Sequence, residues 1–347
     1  MLNSDTYKKE ISELAREEHA LLAEFKGAGV LVSGAAGLIG SYLVDLLCEA
    51  NEMFSLGMAI YACDRDERLL NERFQDGDAL GLRKVVADVA GENLLDGRFD
   101  YIVHAASNTS PADYASHPID TIWTNVAGAK RLMDFAVQHK TRRFLFCSSV
   151  EAYGKNMGDV DAFAEDYSGY VNSNTLRAGY PSAKRCVEAM CNAYAAEHSD
   201  FDFVIARIGR FFGPTVRPGD TKAPSQFLQN GCDKQDVVMK SAGTQVYSWG
   251  YVSDCATAIL TLLTKGVRGE AYNVAHPEPL RLRDFARTVA DCAGVGLVTQ
   301  EQTSAEKSAY SKIDKATLDV GKLLSLGWRP SVSIADGIRK TLSIFKG

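Results

Sequence analysis

The sequence lacks an excess of basic residues, a paired-cysteine pattern and a long apolar run free of glycine. Its 347 residues include 38 Lys and Arg against 44 Asp and Glu, for a net charge of −6 at pH 7. Because acidic residues outnumber basic ones, we expect no binding to nucleic acid. The eight cysteines form no CxxC pair and no repeated spacing. This excludes a disulfide framework and a zinc site, and indicates reduced, buried thiols in a cytoplasmic protein.

The uncharged stretch at residues 27–44 is nearly long enough to suggest a membrane span. It contains five glycines and two serines and has the pattern of a strand, a turn and a helix, so we expect no membrane segment and no membrane partner. The preceding residues are highly charged, unlike a signal peptide. Their apolar positions predict an amphipathic helix over 1–26 that packs on the body or on a partner subunit; they are Tyr7, Ile11, Leu14, Leu21, Leu22 and Phe25.

Residues 30–40, VLVSGAAGLIG, carry the clearest functional signal. A short apolar strand enters three glycines spaced three apart, and an apolar helix follows. The N–H groups at the start of such a helix, together with the helix dipole, bind a pyrophosphate. Glycine is needed where a Cβ would block the turn, the phosphate or the helix–strand contact. The motif therefore predicts a dinucleotide site at Gly34, Gly37, Leu38, Ile39 and Gly40.

Acidic residues at two predicted strand ends indicate which dinucleotide binds. Asp64 ends the second predicted strand, where a carboxylate accepts both ribose hydroxyls of adenosine and repels a 2′-phosphate; it therefore favours NAD over NADP. Arg65 beside it is a counter-signal, because an arginine can hold that phosphate. Asp88 follows the third predicted strand and either contacts the adenine edge or caps a helix.

Strand-like and helical runs alternate through the first two hundred residues. This order predicts an α/β fold with a Rossmann-type, doubly wound parallel sheet and ligands at the carboxyl ends of its strands. After residue 214 the pattern becomes loop-rich and predicts a smaller C-terminal substrate-binding lobe. We assign 27–208 to the NAD-binding domain, with 247–275 returning to it, and 209–347 to the smaller lobe. The predicted strands are Val30–Ser33, Ala59–Cys63, Lys84–Ala87, Tyr101–His104, Arg143–Cys147, Phe203–Arg207 and the returning 272–274; the main predicted helices are Ile122–His139 and Ser182–Glu197.

A candidate catalytic group follows the fifth predicted strand. Residues 180–184, YPSAK, place Tyr180 and Lys184 four residues apart on one face of a predicted helix. The lysine charge favours the phenolate form of the tyrosine, which then acts as a general base near neutral pH. Ser149 lies at the carboxyl end of the preceding strand and can share a proton with a substrate hydroxyl beside Tyr180.

Together these motifs resemble those of the extended short-chain dehydrogenases/reductases, specifically the nucleotide-sugar epimerases, dehydratases and decarboxylases. The resemblance covers most of the chain from about Gly29 onward. It rests on the glycine motif, Asp64, Asp88, HAAS at 104–107, TNVAG at 124–128, Ser149, Tyr180, Lys184, RIGRFFGP at 207–214, YVSD at 251–254 and LGWRP at 326–330.

The resemblance implies a reaction at C4 of a nucleotide-diphosphate sugar. In such enzymes NAD⁺ takes a hydride from C4, Tyr180 is implied to be the base, and Lys184 to bind the nicotinamide ribose. A ketone at C4 acidifies the C5 proton and makes a C6 carboxylate a β-keto acid, so several reactions can follow, among them steps that serve polysaccharide biosynthesis. The remaining implied cofactor residues are Asp88, Val89, Ala105, Ala106, Ser107 and Asn125, the last of which fixes the active-site backbone.

Three positions bear on which reaction follows. Glu151 resembles the carboxylate that lies over the sugar ring in dehydratases and UDP-glucuronate decarboxylases. Glucose-type dehydratases carry an aspartate before it, where this chain has Val150. Residues 107–114, SNTSPADY, are most similar to the decarboxylases, in which the tyrosine matching Tyr114 reaches the substrate. We therefore expect decarboxylation ahead of dehydration, with 4-epimerisation close behind.

Two positions depart from the family pattern. The family usually has asparagine at the position of Arg210 and arginine, which helps hold phosphate or carboxylate, at the position of Tyr247. We hypothesise that Arg210 supplies the missing positive charge from the opposite wall of the site. The predicted substrate residues are Ser107, Tyr114, Ser149, Arg210 and Tyr247.

Two other functions stay open. One is a steroid- or flavonoid-type reductase that uses NADPH, which Asp64 and the lack of a membrane segment disfavour. The other is a non-enzymatic NAD(H) sensor, which has no need to keep Ser149, Tyr180 and Lys184.

The resemblance also implies a homodimer, in which the two long predicted helices form a four-helix interface. Cys186, Met190 and Ala193 on the second helix fit that interface, and they fit ordinary core packing equally well.

Overall fold

The computed structural model describes residues 4–75, 81–91, 96–108, 116–300 and 314–346. The helices there are α1 (Asp5–Glu17), α2 (His19–Ala23), α3 (Leu38–Phe54), α4 (Glu67–Arg73), α5 (Pro118–Gln138), α6 (Gly179–Glu197), α7 (Ala223–Cys232), α8 (Val252–Lys265), α9 (Leu282–Ala293), α10 (Gly321–Ser325) and α11 (Ile334–Phe345), with short 3₁₀ turns at Val150–Tyr153 and Leu176–Ala178. The strands are β1 (Gly29–Ser33), β2 (Ala59–Asp64), β3 (Leu82–Val86), β4 (Tyr101–His104), β5 (Arg143–Ser149), β6 (Phe203–Ile208), β7 (Arg210–Phe212), β8 (Val237–Met239), β9 (Val246–Tyr251), β10 (Ala271–Val274), β11 (Pro279–Arg281), β12 (Leu297–Thr299) and β13 (Lys315–Ala316).

Seven parallel strands form the central sheet of the described residues, in the order β3–β2–β1–β4–β5–β6–β10. The first six follow the order of a doubly wound dinucleotide-binding fold, which changes direction between β1 and β4. The carboxyl ends of these two strands meet there, because Ser33 pairs with His104. The Rossmann-type parallel sheet predicted from the sequence is confirmed.

The central sheet separates two hydrophobic cores. Side chains alternate across a strand, so Val30 and Val32 of β1 enter the core formed with α3 and α8, whereas Leu31 enters the core formed with α5 and α6. Helices therefore cover both faces, which explains why the strands have continuous apolar sequences. All ligand contacts must then occur at the strand ends.

The chain after β6 builds a second, smaller sheet. Its centre is β9, which pairs with β7 and β13 in parallel and with β11 antiparallel. A separate parallel pair joins β8 and β12, and α7, α9 and α11 pack on one another beside it. This smaller lobe places β7 and β9 next to the carboxyl end of β6.

The chain returns to the central sheet later than predicted. Residues 247–275 were expected in the larger domain, but Val246–Tyr251 is the central strand of the smaller sheet, and only α8 and β10 join the larger one. Five of the six residues of β9 are buried. A strand covered on both faces has an apolar run that does not indicate which sheet it joins.

Strand and helix ends also differ from the predicted bounds. The third strand is Leu82–Val86 instead of Lys84–Ala87, and β1, β2 and β6 are each one residue longer than predicted. β5 continues through Ser149, two residues past its predicted end, because its last residues keep pairing with β6.

Both long helices begin earlier than the sequence predicts. α5 starts at Pro118, because proline suits a first helical position, where no N–H is needed. α6 starts at Gly179, so Tyr180 lies in its first turn. Apolar periodicity does not register such capping positions, which is why the predicted helices began later.

The N-terminal segment packs on the body as α1 and the short α2 instead of one helix over 1–26. Tyr7 and Ile11 are fully buried in the core that contains α3. The buried carboxylate of Glu10 accepts hydrogen bonds from the hydroxyls of Tyr42 on α3 (2.8 Å) and Tyr251 on β9 (2.9 Å). The N-terminal segment therefore links α3 to the smaller sheet.

The cysteines are free thiols, but the prediction that they are buried is wrong in part. Cys186 on α6 is exposed, and Cys232 and Cys292 are half-buried. Cysteine prefers interiors on average, but this preference does not say which face of a helix a given residue occupies. Among the described residues no cluster of His, Cys, Asp or Glu is arranged to hold a metal ion, and no described helix has the length and apolarity to cross a membrane.

We expect Ile11→Ala to lower the free energy of unfolding by about 2–5 kcal/mol, because it leaves a cavity under a buried helix. Urea denaturation followed by circular dichroism measures the change. Lys9→Ala is the control on the same helix: the Lys9 side chain is 75% exposed, and its loss should change stability by less than about 0.5 kcal/mol. Equal stability of the Ile11 variant and the native chain would show that α1 is not part of the cooperative fold.

Candidate functional site

The turn after β1 has the shape that a dinucleotide phosphate requires. Gly34 has φ of +71°, and a Cβ there would lie 2.8 Å from the backbone of Ala106. A Cβ at Gly40 would meet the carbonyl oxygen of Gly34. Gly37 precedes the first residue of α3, Leu38, so the unpaired N–H groups of the helix start face the turn. These residues fit a pyrophosphate at the helix N-terminus.

Asp64 ends β2 beside this turn and is 7% exposed. Its Oδ2 accepts hydrogen bonds from the Ala36 N–H (3.2 Å) and from Nη2 of Arg217 (3.0 Å). Arg217 also donates from Nε to the Ala36 carbonyl (3.1 Å). Sequence reasoning missed Arg217, because it arrives from the loop after β7 and nothing in that loop's composition indicates the contact. A positive charge therefore lies against the predicted adenosine site.

A cleft of about 700 Å³ opens between the carboxyl ends of β2 and β3, lined by Arg65–Arg68 and Val86–Asp88. Nη2 of Arg65 donates to Oδ1 of Asn108 (3.3 Å) across its rim. Oδ1 of Asp88 accepts the Ala90 N–H (2.9 Å) and closes a turn, and Val89 in that turn contacts α5. The cleft has the size and the strand-end position of an adenosine pocket.

The carboxyl ends of β1 and β4 are joined by side chains. The Ser33 hydroxyl lies 2.9 Å from Nδ1 of His104 and accepts the Ala106 N–H (3.3 Å). Burial lowers the pKa of His104 to about 3, so its ring is neutral. These contacts fix the backbone of the predicted cofactor-lining residues 105–107.

Ser107 connects that backbone to α5. Its hydroxyl donates to Oδ1 of buried Asn125 (3.0 Å), and the Asn125 amide donates to the Thr121 carbonyl (2.8 Å). Tyr114, which was predicted to reach the substrate, lies outside the described residues. Asn125 thus contacts the Ser107 side chain, and its role in fixing the site's backbone stays a prediction.

Three of the four candidate catalytic residues, Ser149, Tyr180 and Lys184, lie on β5 and the helix that packs on it. Lys184 is 2% exposed, and its ammonium donates to the Cys147 carbonyl (2.9 Å) and lies 5.6 Å from the centre of the Tyr180 ring. Ser149 follows Cys147 by two residues on the same strand. Burial lowers the pKa of Lys184 to about 8, so the group stays mainly protonated at neutral pH. The arrangement places a cation near a phenol, with the Ser149 hydroxyl two residues farther along the strand that holds the cation.

Glu151 lies two residues beyond Ser149, in the 3₁₀ turn Val150–Tyr153, and its carboxylate is paired. Its N–H donates to the Ser149 hydroxyl (3.2 Å), and its Oε1 lies 3.4 Å from Nη2 of Arg177. Arg177 was not predicted as a site residue, although it lies only three residues before Tyr180 in the sequence. The Arg177 guanidinium thus holds the carboxylate of a residue whose backbone contacts Ser149.

Arg210 and Tyr247 meet where the smaller sheet reaches the site. The guanidinium carbon of Arg210 lies 3.9 Å from the centre of the Tyr247 ring. Its buried Nε has no hydrogen-bond partner among the described residues. Burial raises the pKa of Tyr247, so its phenol is neutral under the cation. A partly desolvated guanidinium with an unused donor can receive an anionic group of a ligand.

Known proteins that resemble this chain were found by sequence and by structure, and the results agree with one another. The model of the NAD dependent epimerase/dehydratase family matches residues 30–275. UDP-glucuronic acid decarboxylase 1 of Xenopus tropicalis is 28% identical over 328 residues, which cover 94% of this chain and 74% of that protein. Both matches include the glycine turn and the Tyr180–Lys184 helix.

Two solved structures illustrate the shared fold. UDP-glucuronic acid 4-epimerase from Bacillus cereus, solved with UDP-glucuronic acid and NAD, has a TM-score of 0.78 at 21% identity over 92% of this chain and 99% of its own. A dTDP-glucose 4,6-dehydratase from Streptomyces venezuelae, with NAD and TYD bound, has a TM-score of 0.75 at 25% identity over 90% and 95% of the two chains.

We expect Asp64→Asn to weaken NADH binding at least about tenfold, because a hydrogen bond to a charged acceptor is lost. NADPH should weaken less, because the repulsion of its 2′-phosphate disappears. Fluorescence titration with both nucleotides measures the two affinities. Asp233→Asn, an exposed carboxylate that contacts Gln229, is the matched control. Unchanged NADH affinity in the Asp64 variant would remove Asp64 from the cofactor site.

Proposed function

The chain belongs to the NAD-dependent epimerase/dehydratase family, and we propose that it converts UDP-glucuronate to a UDP-pentose by oxidation at C4 and loss of CO₂. The protein is an enzyme of this family and its cofactor is NAD. The observation that carries the proposal is the Arg210 guanidinium over Tyr247. It restores a cation where the family pattern has arginine, and a uronate carboxylate needs such a group.

NAD⁺, when bound, would supply a reversible acceptor for the C4 hydride. The glycine turn, Asp64 and the helix start fit the nucleotide, as their geometry indicates. Lys184, protonated near neutral pH, would orient the nicotinamide ribose from beneath. The protein's own task is to hold the sugar and to move protons.

Tyr180 is the proposed base for the C4 hydroxyl. The Lys184 charge 5.6 Å from its ring centre favours the phenolate, and the Ser149 hydroxyl can donate to the same sugar oxygen. When the hydroxyl proton passes to Tyr180 and the hydride is removed from C4, C4 becomes a ketone, and the C6 carboxylate is then that of a β-keto acid. The C5–C6 bond can then break, with its electron pair delocalised onto the C4 oxygen, where Ser149 and Tyr180 stabilise the charge.

Arg210 and Glu151 are the proposed contacts beyond C4. Arg210 would bind and orient the carboxylate before CO₂ leaves. Glu151 follows Ser149 by two residues, and its carboxylate pairs with Arg177. Its proposed role is to deliver the proton that C5 needs after CO₂ has left. Val150, where glucose-type dehydratases have aspartate, is buried and packs in the core, so this position offers no acid to a leaving hydroxyl. The site therefore favours decarboxylation over dehydration.

Incubation of the protein with NAD⁺ and UDP-glucuronate tests the proposal. We expect the nucleotide sugar to lose the mass of one CO₂, and Tyr180→Phe to abolish the loss. A product of unchanged mass and altered chromatographic retention would contradict decarboxylation and indicate 4-epimerisation. Loss of water from a neutral nucleotide hexose, with UDP-glucuronate untouched, would indicate dehydration.

A charge exchange tests the role of Arg210. Arg210→Asn should lower kcat/KM for UDP-glucuronate about 10- to 100-fold, because a charge-assisted contact is lost. Adding Tyr247→Arg to that variant restores the family pattern and should recover most of the activity. Arg268→Gln, in the exposed turn between α8 and β10, is the control. Normal kcat/KM in the single variant, or no recovery in the double variant, would contradict the assignment.

We also propose that the protein forms a homodimer through α5 and α6, the interface that the family resemblance implies. The outer face of α5 exposes Ile119 (78%), Ile122 (42%) and Trp123 (62%), spaced three and four residues apart. Cys186 is exposed on α6, the helix that packs against α5. An apolar helical face of this kind supports packing against a second copy.

Trp123→Glu should convert the dimer to a monomer, because it places a charge at the centre of that apolar face. Sedimentation velocity measures the change. Val267→Glu is the control, since Val267 is 57% exposed but lies in the turn after α8. A monomeric native protein, or a dimeric Trp123 variant, would contradict this interface.

We propose a cytoplasmic location for the protein. All eight cysteines are free thiols, and five of them are buried. Reduced thiols of this kind are typical of a reducing compartment.

A further inference from the structure

We infer that Glu188 and Arg207 are positioning residues, which hold Lys184 and Ser149 in the geometry for proton transfer through a buried ion pair beneath the site. Neither residue has a role in the proposed function. The inference rests on the proposed roles of Ser149, Tyr180 and Lys184, and it does not depend on which sugar the enzyme uses.

Glu188 follows Lys184 by one turn on α6, and it is 8% exposed. Its Oε1 accepts a hydrogen bond of 2.5 Å from the Ser148 hydroxyl. Ser148 stands between Cys147, whose carbonyl accepts the Lys184 ammonium, and Ser149. Two successive turns of the helix are thereby attached to two successive residues of β5. Two attachments fix how far α6 can slide along or rotate against the strand.

Arg207 completes the carboxylate's contacts from β6. It pairs with Ser148 in the sheet register, and its Nε and Nη2 donate to Glu188 at 3.1 and 2.7 Å. Its Nη1 donates to the Glu165 carbonyl (2.6 Å), and its guanidinium carbon lies 4.7 Å from the Tyr153 ring centre. A planar, forked cation in this setting fixes the direction of the carboxylate as well as its charge.

The same network extends to the smaller lobe through β10. The Asn273 Oδ1 accepts the Tyr153 hydroxyl (2.7 Å), and its N–H donates to Oε1 of Glu165 (2.8 Å). Its amide donates to the Phe163 and Asp319 carbonyls, both at 2.8 Å. Through these contacts the ion pair connects the catalytic strand end to the segment that leads from β13 into α10.

A buried ion pair adds little to stability compared with well-packed apolar side chains, because both charges lose their hydration. Its contribution here is to fix the relative positions of Lys184 and Ser149. Proton and hydride transfers are steep functions of distance, and a displacement of about 1 Å can cost about 100-fold in rate. The charge of Lys184 favours the Tyr180 phenolate only while the two groups stay close.

The titratable groups around Lys184 define how a pH profile must be interpreted. They are Cys147 on β5, His104 on β4, and Tyr180 and Glu188 on α6. Removing the Glu188 charge alone would favour the phenolate and move the acid limb of kcat to lower pH. Releasing Lys184 from its position would move that limb to higher pH. The two effects have opposite signs.

The experiment compares Glu188→Gln and Ser148→Ala with the native enzyme. Ser148→Ala keeps every charge and cuts only the link from β5 to Glu188. We expect kcat to fall about 10- to 100-fold in Glu188→Gln and about tenfold in Ser148→Ala, with KM changed less than kcat. The acid limb should rise by about one pH unit in both, and NADH affinity, titrated without sugar, should fall about tenfold.

The controls are Glu270→Gln and Ser325→Ala, which change the same residue types at exposed positions and should leave both readouts unchanged. If Glu188→Gln does not fold, Ser148→Ala decides. An unmoved or lowered acid limb, or unchanged NADH affinity, in the folded Ser148 variant would overturn the inference. If the native enzyme turns over no sugar, the proposed function fails, and the NADH titration alone still decides the positioning role.

Discussion

The buried ammonium of Lys184 is the constraint around which the site is arranged. Burial opposes its charge and lowers its pKa to about 8, so the charged form depends on nearby acceptors. The Cys147 carbonyl supplies a hydrogen bond, the rings of Phe146 and Tyr180 present their faces, and the Glu188 carboxylate lies one turn away. These groups come from β5 and α6, whose mutual position therefore decides whether the cation reaches the tyrosine.

The smaller lobe brings two arginines towards the carboxyl ends of the central strands, and we propose that one of them binds the sugar. β7 and β9 bring Arg210 and Tyr247 together, and the loop after β7 brings Arg217 to Asp64 at the cofactor end. One connection thus serves both ends of the site. In the proposed function, chemistry at C4 is assigned to residues of the central sheet and α6, whereas the choice among decarboxylation, dehydration and epimerisation is assigned to residues of the smaller lobe and the turn after β5.

Local patterns predicted the features that local physics determines. The strand–glycine–helix unit, the alternation of strands and helices and the one-turn spacing of Tyr180 and Lys184 are each visible within short windows of sequence. Arg217, Glu188 and Arg207 gain their meaning from contacts with residues distant in the chain, and no periodicity reveals such contacts. The prediction that the residues of β9 belong to the larger domain was wrong for a related reason, because the apolar run of this strand fits either sheet. Arg210 was recognised only as a departure from a family pattern.

The most direct test of the account is the fate of UDP-4-deoxyglucuronate, which keeps the carboxylate but has no C4 hydroxyl to oxidise. We expect this analogue to compete with UDP-glucuronate for the enzyme and to release no CO₂, whereas UDP-glucuronate does. Release of CO₂ from the 4-deoxy analogue would contradict it, because decarboxylation would then proceed without the C4 ketone that Ser149, Tyr180 and Lys184 are arranged to form.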